Sequence, residues 1–234
     1  MQQLRALNAN AAFRPNAGYR GFVCNGRLLP GLGPKLHRLR LGGDTTRALR
    51  VFSGYSGTRV LSGQQGGGIS VHATLARALA QNTAPLPDCY VNTCVRAAML
   101  FAAKYRLVHE ASELIICHPT LPLATRFDAL FRRGTERVLV SWKSGRGPRH
   151  AADLLQHSAQ LAMEWRMLEH GHGVRVSRAY VVYLSALQTT ARPCRMMPAN
   201  RSYPLNATAA TQLAVAVEKR LVRQRRRKAQ GRAR

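Results

Sequence analysis

Acidic residues are scarce in this chain: ten Asp and Glu stand against 36 Lys and Arg in 234 residues. They are Asp44, Asp88, Glu110, Glu113, Asp128, Glu136, Asp153, Glu164, Glu169 and Glu218. Only a few fall inside apolar stretches, where burying a charge needs a reason. Asp128 lies between Phe127 and Ala129-Leu130-Phe131, and Glu113 opens the apolar run to Cys117. Lys143 directly follows Val138-Leu139-Val140-Ser141-Trp142. A carboxylate pair binds a hard divalent cation such as Mg²⁺ or Mn²⁺ through oxygen. Such a cation polarises a phosphate and lowers the pKa of bound water. A neighbouring ammonium orients that water or stabilises the charge that develops on the phosphoryl group. The trio is therefore a candidate site for metal-assisted phosphodiester hydrolysis. On composition alone, each member also reads as the mark of a strand end at the surface.

The elements that must position these residues follow from periodicity. Val71, Leu75, Ala78 and Leu79 recur at helical spacing, and Pro85 and Pro87 end that helix. Residues 92–107 predict a second helix with Val95, Met99, Ala102 and Ala103 on one face. Glu113 to Cys117 is a short expected strand that stops at Pro119. Phe127 to Phe131 and Val138 to Trp142 are expected strands joined through Arg133-Gly134-Thr135, a hairpin. That pairing brings the end of the second strand alongside the start of the first, so Asp128 and Lys143 lie side by side, with Glu113 on a neighbouring element. Residues 150–169 form an amphipathic helix with Leu154, Leu161, Trp165 and Leu168 inward. Arg178 to Leu184 is continuously apolar at its core and predicts a central strand. Residues 207–223 form a last helix running into a frayed charge run, Arg223 to Lys228. The expected fold is α/β, a mixed central sheet flanked by helices. The expected organisation is a basic Gly/Arg-rich arm over 1–66, a core over 67–222 and a basic tail over 223–234. The arm includes short strands such as Arg47 to Phe52, and Gly63 to Gly68 reads as a linker.

Three stretches resemble the core of the PD-(D/E)XK nucleases, and within them the RecB-like exonuclease branch. They are Glu113-Leu114-Ile115-Ile116-Cys117-His118-Pro119, Ala124-Thr125-Arg126-Phe127-Asp128-Ala129-Leu130-Phe131 and Val138-Leu139-Val140-Ser141-Trp142-Lys143-Ser144. Gly68-Ile69-Ser70-Val71-His72 resembles the branch's Gly-x-x-x-His motif, and Gln160-Leu161 with Trp165 its Gln-bearing helix, with Gln156 as the alternative. The resemblance runs from about residue 66 to 186. It implies a restriction-endonuclease-like core and a Mg²⁺- or Mn²⁺-dependent deoxyribonuclease. It implies His72, Glu113 and Asp128 as metal ligands, Lys143 as the group that positions water or stabilises charge, and Gln160 as the residue that orients it. A looser likeness is to the small basic nuclear proteins of herpesviruses that carry the same core. Two positions depart from the pattern. Ser141 stands where the family has a second acid, so either metal affinity falls or another acid, Glu110 or Glu113, substitutes, and Arg126 stands where the family commonly has Thr.

A formal charge of +26 attracts polyanions, with nucleic acid the first partner expected and an anionic membrane surface the second. Arg146, Arg149, Arg225, Arg226 and Arg227 are the expected phosphate contacts, giving affinity without sequence readout. No run of 18 apolar residues is present, so no membrane span is expected. The absence of acids before Asp44 gives the start some presequence character. The expected location is intracellular, nuclear or otherwise DNA-associated, with mitochondria the alternative. Five scattered cysteines without a CxxC argue against a disulfide framework and a zinc knuckle. Two rivals stay open beside the enzyme: a non-cleaving nucleic-acid-binding protein on the same fold, and a structural basic protein.

Overall fold

Alternation of apolar residues along two adjacent strands builds the centre of the molecule. In the computed structural model, which describes residues 11–16, 19–24, 27–39, 67–86, 89–148, 150–188 and 196–232, the first elements are β1 (Ala11–Asn16), β2 (Tyr19–Cys24), β3 (Arg27–Pro30) and α1 (Leu32–Arg38). Next come α2 (Gly67–Gln81), α3 (Tyr90–Lys104), β4 (Val108–Ser112), β5 (Ile115–Cys117), β6 (Ala124–Arg126), β7 (Ala129–Arg133) and β8 (Glu136–Ser144). The chain ends with α4 (Ala151–Arg166), a π-helical turn (Met167–Gly171), β9 (Arg178–Gln188), β10 (Met196–Leu205) and α5 (Ala207–Arg232). The expected strand Arg47 to Phe52 lies outside the described residues.

The main sheet has five strands in the order β10-β9-β8-β7-β4. It is mixed: β8 and β9 are parallel, and the other pairings are antiparallel. Gly134, at φ 60°, and Thr135 form the two-residue turn between β7 and β8. That left-handed conformation is the one a tight hairpin turn requires and glycine adopts without strain. The parallel β8–β9 pair needs a crossover, and α4 provides it. β9 lies inside the sheet as its apolar run predicts, and β10 forms the edge beyond it.

Both faces of the sheet are covered, which makes this a mixed α/β core consistent with a restriction-endonuclease-like architecture. Leu130, Leu139, Val181 and Tyr183 point to one face, against Leu154, Leu161, Ala162 and Trp165 of α4 and Leu213, Ala214 and Val217 of α5. Leu32 and Leu36 of α1 are buried in the same cluster. Ala129, Phe131, Val138, Val140 and Trp142 point to the other face, against Val71, Leu75, Ala78 and Leu79 of α2 and Val95, Ala98 and Phe101 of α3. The Phe101 ring meets Trp142 edge-on, with centroids 5.8 Å apart. On α3, Ala103 is exposed, and the buried stripe runs instead through Cys94, Val95, Ala98, Phe101 and Ala102.

Several elements depart from expectation. The second helix runs Tyr90–Lys104 rather than 92–107, and Val108–Ser112 is an edge strand where the sequence predicts no element. The last helix continues through Arg223 to Lys228 and reaches Arg232, so the charge run is helical. Its base is fastened by Glu218, which accepts from the Arg166 guanidinium and pairs with His118 Nε2 at 3.0 Å. Cys24 of β2 and Cys117 of β5 are joined as a disulfide, 93 residues apart in sequence. The spacing argument against a framework does not exclude one isolated pair. Among the described residues no helix is long and apolar enough to cross a membrane.

Candidate metal and hydrolytic site

Asp128 sits where the chain changes sheets. β6 pairs with β5 in a small two-stranded sheet, whereas β7 pairs with β4 and β8 in the main one. Phe127 and Asp128 form the link, so the expected unbroken strand Phe127 to Phe131 is interrupted there. The opposing chain makes the same change at Glu113, between β4 and β5. Glu113 holds φ at 57°, the left-handed region, and stands outside both strands rather than opening one. A carboxylate residue in this conformation costs on the order of 1 kcal/mol or more and persists only where surrounding contacts enforce it. Here they do: Glu113 N–H donates to the Asp128 carbonyl at 3.2 Å, and Phe127 N–H donates to the Leu114 carbonyl at 3.1 Å. The crossing thus ties the backbones of both candidate acids together.

The register Ala129↔Val140 carries one step further, placing Asp128 beside Ser141. The Trp142 N–H and the Ser141 hydroxyl donate to Asp128 Oδ2 at 2.8 and 3.0 Å. The other carboxylate oxygen, Oδ1, faces His72 Nδ1 of α2 at 3.2 Å, and Glu113 Oε1 lies 3.8 Å from the same nitrogen. One donor atom each from His72, Glu113 and Asp128 lies within 4.8 Å of the others. Glu113's second oxygen is taken by Arg126 Nε at 2.7 Å.

Electrostatics matches the geometry. Burial alone would raise the Asp128 pKa, but His72, Lys143 and the Trp142 N–H outweigh it and hold the carboxyl down at about 2. Burial opposes charge on His72, yet Asp128 and Glu113 prevail and raise it to about 9. A cation that binds here must displace the proton held between His72 and Asp128. An imidazole nitrogen and two carboxylate oxygens at this spacing form a donor set that suits a hard or borderline divalent cation.

Lys143 lies two residues beyond Ser141 on the same face of β8, because successive side chains alternate. Its ammonium donates to Gln160 Oε1 of α4 at 3.4 Å. Gln160, not the alternative Gln156, therefore bonds the lysine. Lys143 acts on Asp128 through its charge, lowering that carboxyl's pKa. Gln160 Nε2 in turn donates to Glu164 Oε1 at 2.8 Å, and the Thr125 hydroxyl donates to the same oxygen at 3.3 Å. Glu164 is 1% exposed. Its burial, then the charge of Asp128, push its carboxyl up to about 8, with Lys143 and the two hydrogen bonds opposing. On the same helix, burial and then the charge of Lys143 push His157 down to about 4, and its Nδ1 lies 2.7 Å from the Tyr183 hydroxyl.

His72, Glu113 and Asp128 thus meet in one cluster, with Lys143 and Gln160 adjoining it. Glu110, considered as a substitute acid, is instead bound to Arg137 at 2.9 Å. Arg146 is exposed just after β8, and Arg225, Arg226 and Arg227 are exposed on the last turns of α5. Arg149 lies outside the described residues. Glu164 is the residue that the sequence argument does not single out. Its signal was present: four residues after Gln160, it shares that residue's face of the helix, beside the inward Trp165.

No family model matches the chain, and no curated protein matches it. Among solved structures it is similar to the one described as SSO0001, at 12% identity over 74% of this chain and 82% of that one, with a TM-score of 0.29. It is also similar to an alkaline exonuclease, LHK-Exo, from Laribacter hongkongensis, at 11% identity over 84% and 98% of the two chains, TM-score 0.31. The same exonuclease solved with dAMP gives 12% identity over 80% and 92%, TM-score 0.31.

Proposed function

We propose that the chain is a nuclease that uses Mg²⁺ or Mn²⁺ to hydrolyse phosphodiester bonds in DNA. The observation that carries this reading is the convergence of His72, Glu113 and Asp128 on one point, beside a lysine held by its own hydrogen-bond partner. Those three residues would hold the cation. When bound, it supplies Lewis-acid polarisation of the phosphate and a more acidic water. Asp128 is prepared for that role: two donors fix one oxygen and leave the other directed at His72. Lys143 brings positive charge to the place where negative charge develops as the phosphate is attacked, which is where a fixed cation is most effective. Gln160 restrains that ammonium. The exposed Arg146 and Arg225 to Arg227 would draw the DNA backbone in, and Arg149, outside the described residues, would join them.

A second reading is a protein on the same fold that binds nucleic acid without cleaving it. It is favoured by one pair of facts: Ser141 supplies a hydroxyl where a second acid would stand, and Arg126 occupies one oxygen of Glu113. The separating experiment is digestion of single- and double-stranded DNA by purified protein with Mg²⁺, Mn²⁺ or chelator. Metal-dependent products support the enzyme, and binding without products supports the alternative.

Two further outcomes are expected. Ser141→Asp should tighten Mn²⁺ binding by about tenfold, since another hard oxygen joins the cluster on the same strand face. Calorimetric titration reads it, and unchanged affinity would mean that Ser141 does not face the ion. DNA affinity should fall steeply with salt, and each Arg→Ala change at 225, 226 or 227 should lower the slope of log K against log [salt] by about one. Fluorescence anisotropy at several salt concentrations measures that slope, and three unchanged slopes would remove the C-terminal helix from the DNA interface.

A further inference from the structure

An acid in the middle of an apolar helix face is costly, and Glu164 is one. Its neighbours along α4 include the buried Leu161, Ala162, Met163 and Trp165. A buried carboxylate needs hydrogen-bond donors, and Glu164 has two, the Gln160 amide and the Thr125 hydroxyl, both on Oε1. Thr125 comes from β6, immediately before the Asp128 crossing. Glu164 therefore joins the helix wall to the strand that leads into the site.

The chemistry of the contact gives the carboxylate a task. Glu164 Oε1 accepts from both the Gln160 amide and the Thr125 hydroxyl, so it is the accepting end of the contact with or without a proton on Oε2, whereas an amide has one accepting and one donating end. By binding Gln160 Nε2, Glu164 leaves Gln160 Oε1 facing Lys143 Nζ. With the amide turned the other way, an N–H would confront the ammonium and repel it. The charges facing Glu164 are Asp128 and Lys143. Meanwhile Ser141, two residues before Lys143 on the same strand face, offers no charge to restrain the ammonium directly.

We propose that Glu164 is a positioning residue that compensates for the missing acid at Ser141: through Gln160 it fixes where the Lys143 ammonium points. The line runs Glu164 Oε1, Gln160 amide, Lys143 Nζ. The purpose of the device rests on the nuclease reading above, but its geometry does not.

The test compares full-length wild type, Glu164→Leu, Glu164→Ala, Ser141→Asp and the double variant Ser141→Asp/Glu164→Leu. Mg²⁺-dependent cleavage gives kcat and KM. DNA affinity is measured separately in Ca²⁺, and thermal unfolding monitors the fold. Glu164→Leu, which removes the acceptor at similar size, should lower kcat by about thirtyfold or more while KM and DNA affinity stay within about threefold, the pattern of a group that matters in the transition state. An aspartate at 141 can take the ammonium directly, so measured against Ser141→Asp alone, which carries any effect on the cation, the loss from Glu164→Leu should shrink at least about tenfold; a purely structural defect on the helix would not be repaired from the strand. A loss under threefold, or a loss that the double variant fails to repair, overturns the proposal.

A readout independent of cleavage separates this proposal from the function it rests on. The chain has few lysines, so competitive amine labelling with peptide mapping can follow Lys143 individually. Glu164→Leu and Glu164→Ala should each raise Lys143 labelling at least about threefold over the other lysines, because an ammonium released from its partner is freer to react. Unchanged labelling overturns the relay. Raised labelling in a wild-type protein that cuts no DNA would sustain the relay and sink the nuclease reading.

Discussion

Lys143→Ala should reduce metal-dependent DNA cleavage by about a hundredfold to a thousandfold, the usual cost of removing one group aimed at developing charge. DNA affinity, measured in Ca²⁺, should stay nearly unchanged, because a single ammonium at the end of β8 is a small part of a +26 chain. The fold should tolerate the change: the ammonium's partner Gln160 keeps its bond to Glu164, and no aromatic or aliphatic core residue moves. The strand face beneath it, Leu139 and Leu130, belongs to the buried core independently of the lysine. If the variant cleaves within about threefold of wild type, Lys143 has no role in the chemistry and the hydrolytic reading of the hairpin fails. If cleavage and DNA binding fall together, Lys143 is a backbone contact like the exposed arginines.

The second large effect concerns stability and its pH dependence. The folded state holds the Glu164 proton up to about pH 8, whereas the ordinary carboxyl value is 4.5. Between those values the folded chain binds a proton that the unfolded chain releases, so stability falls as pH rises. The contribution is fully present below the unfolded value and is lost through the folded one. Glu164→Gln removes this dependence while keeping the shape of the side chain. The variant should therefore gain on wild type as pH goes from 5 to 9, by up to a few kcal/mol at about 1.4 kcal/mol per pKa unit. Thermal or denaturant unfolding at pH 5, 7 and 9 measures the gap. A constant difference between variant and wild type across that range would mean that Glu164 keeps an ordinary carboxyl in the fold.

The hairpin was legible because two independent signals agree on it. Ala129 to Phe131 and Val138 to Trp142 alternate between the two cores, and Gly134 marks the turn between them. The inward faces of α2 and α4 were legible for the same reason, since Leu75, Leu79, Leu154, Leu161 and Trp165 recur at helical spacing and are buried. β10 was not. Met196–Leu205 contains Pro198, Pro204, Asn200 and Arg201, which break any strand pattern. It forms because it is an edge strand with a single partner, β9, where proline's missing donor can be tolerated. Glu113 and Asp128 were visible as acids in apolar company, but their true setting was not. The sheet change at both residues depends on β5 and β6 pairing apart from the main sheet, a contact between segments that carries no local mark.

Glu164 shows the same limit from the other side. An acid next to Trp165 reads locally as the polar margin of an amphipathic helix. It is buried because α4 lies against the sheet and because Thr125 arrives from β6. Neither event is written in the helix itself. The Cys24–Cys117 pair is likewise invisible to counting, since its members are 93 positions apart.

The two-residue turn at Gly134 has one more implication. Asp128 lies beside Ser141, with Lys143 two positions on along the same face, only because the number of positions between them matches the pairing of β7 with β8. Side-chain direction in a strand has a period of two, so adding or deleting one residue in either arm would send the lysine through to the Phe101 side of the sheet. Descent can exchange the letters at these positions far more freely than it can change how many there are, and counted length across this segment is a stricter signature of the site than the identity of most residues within it.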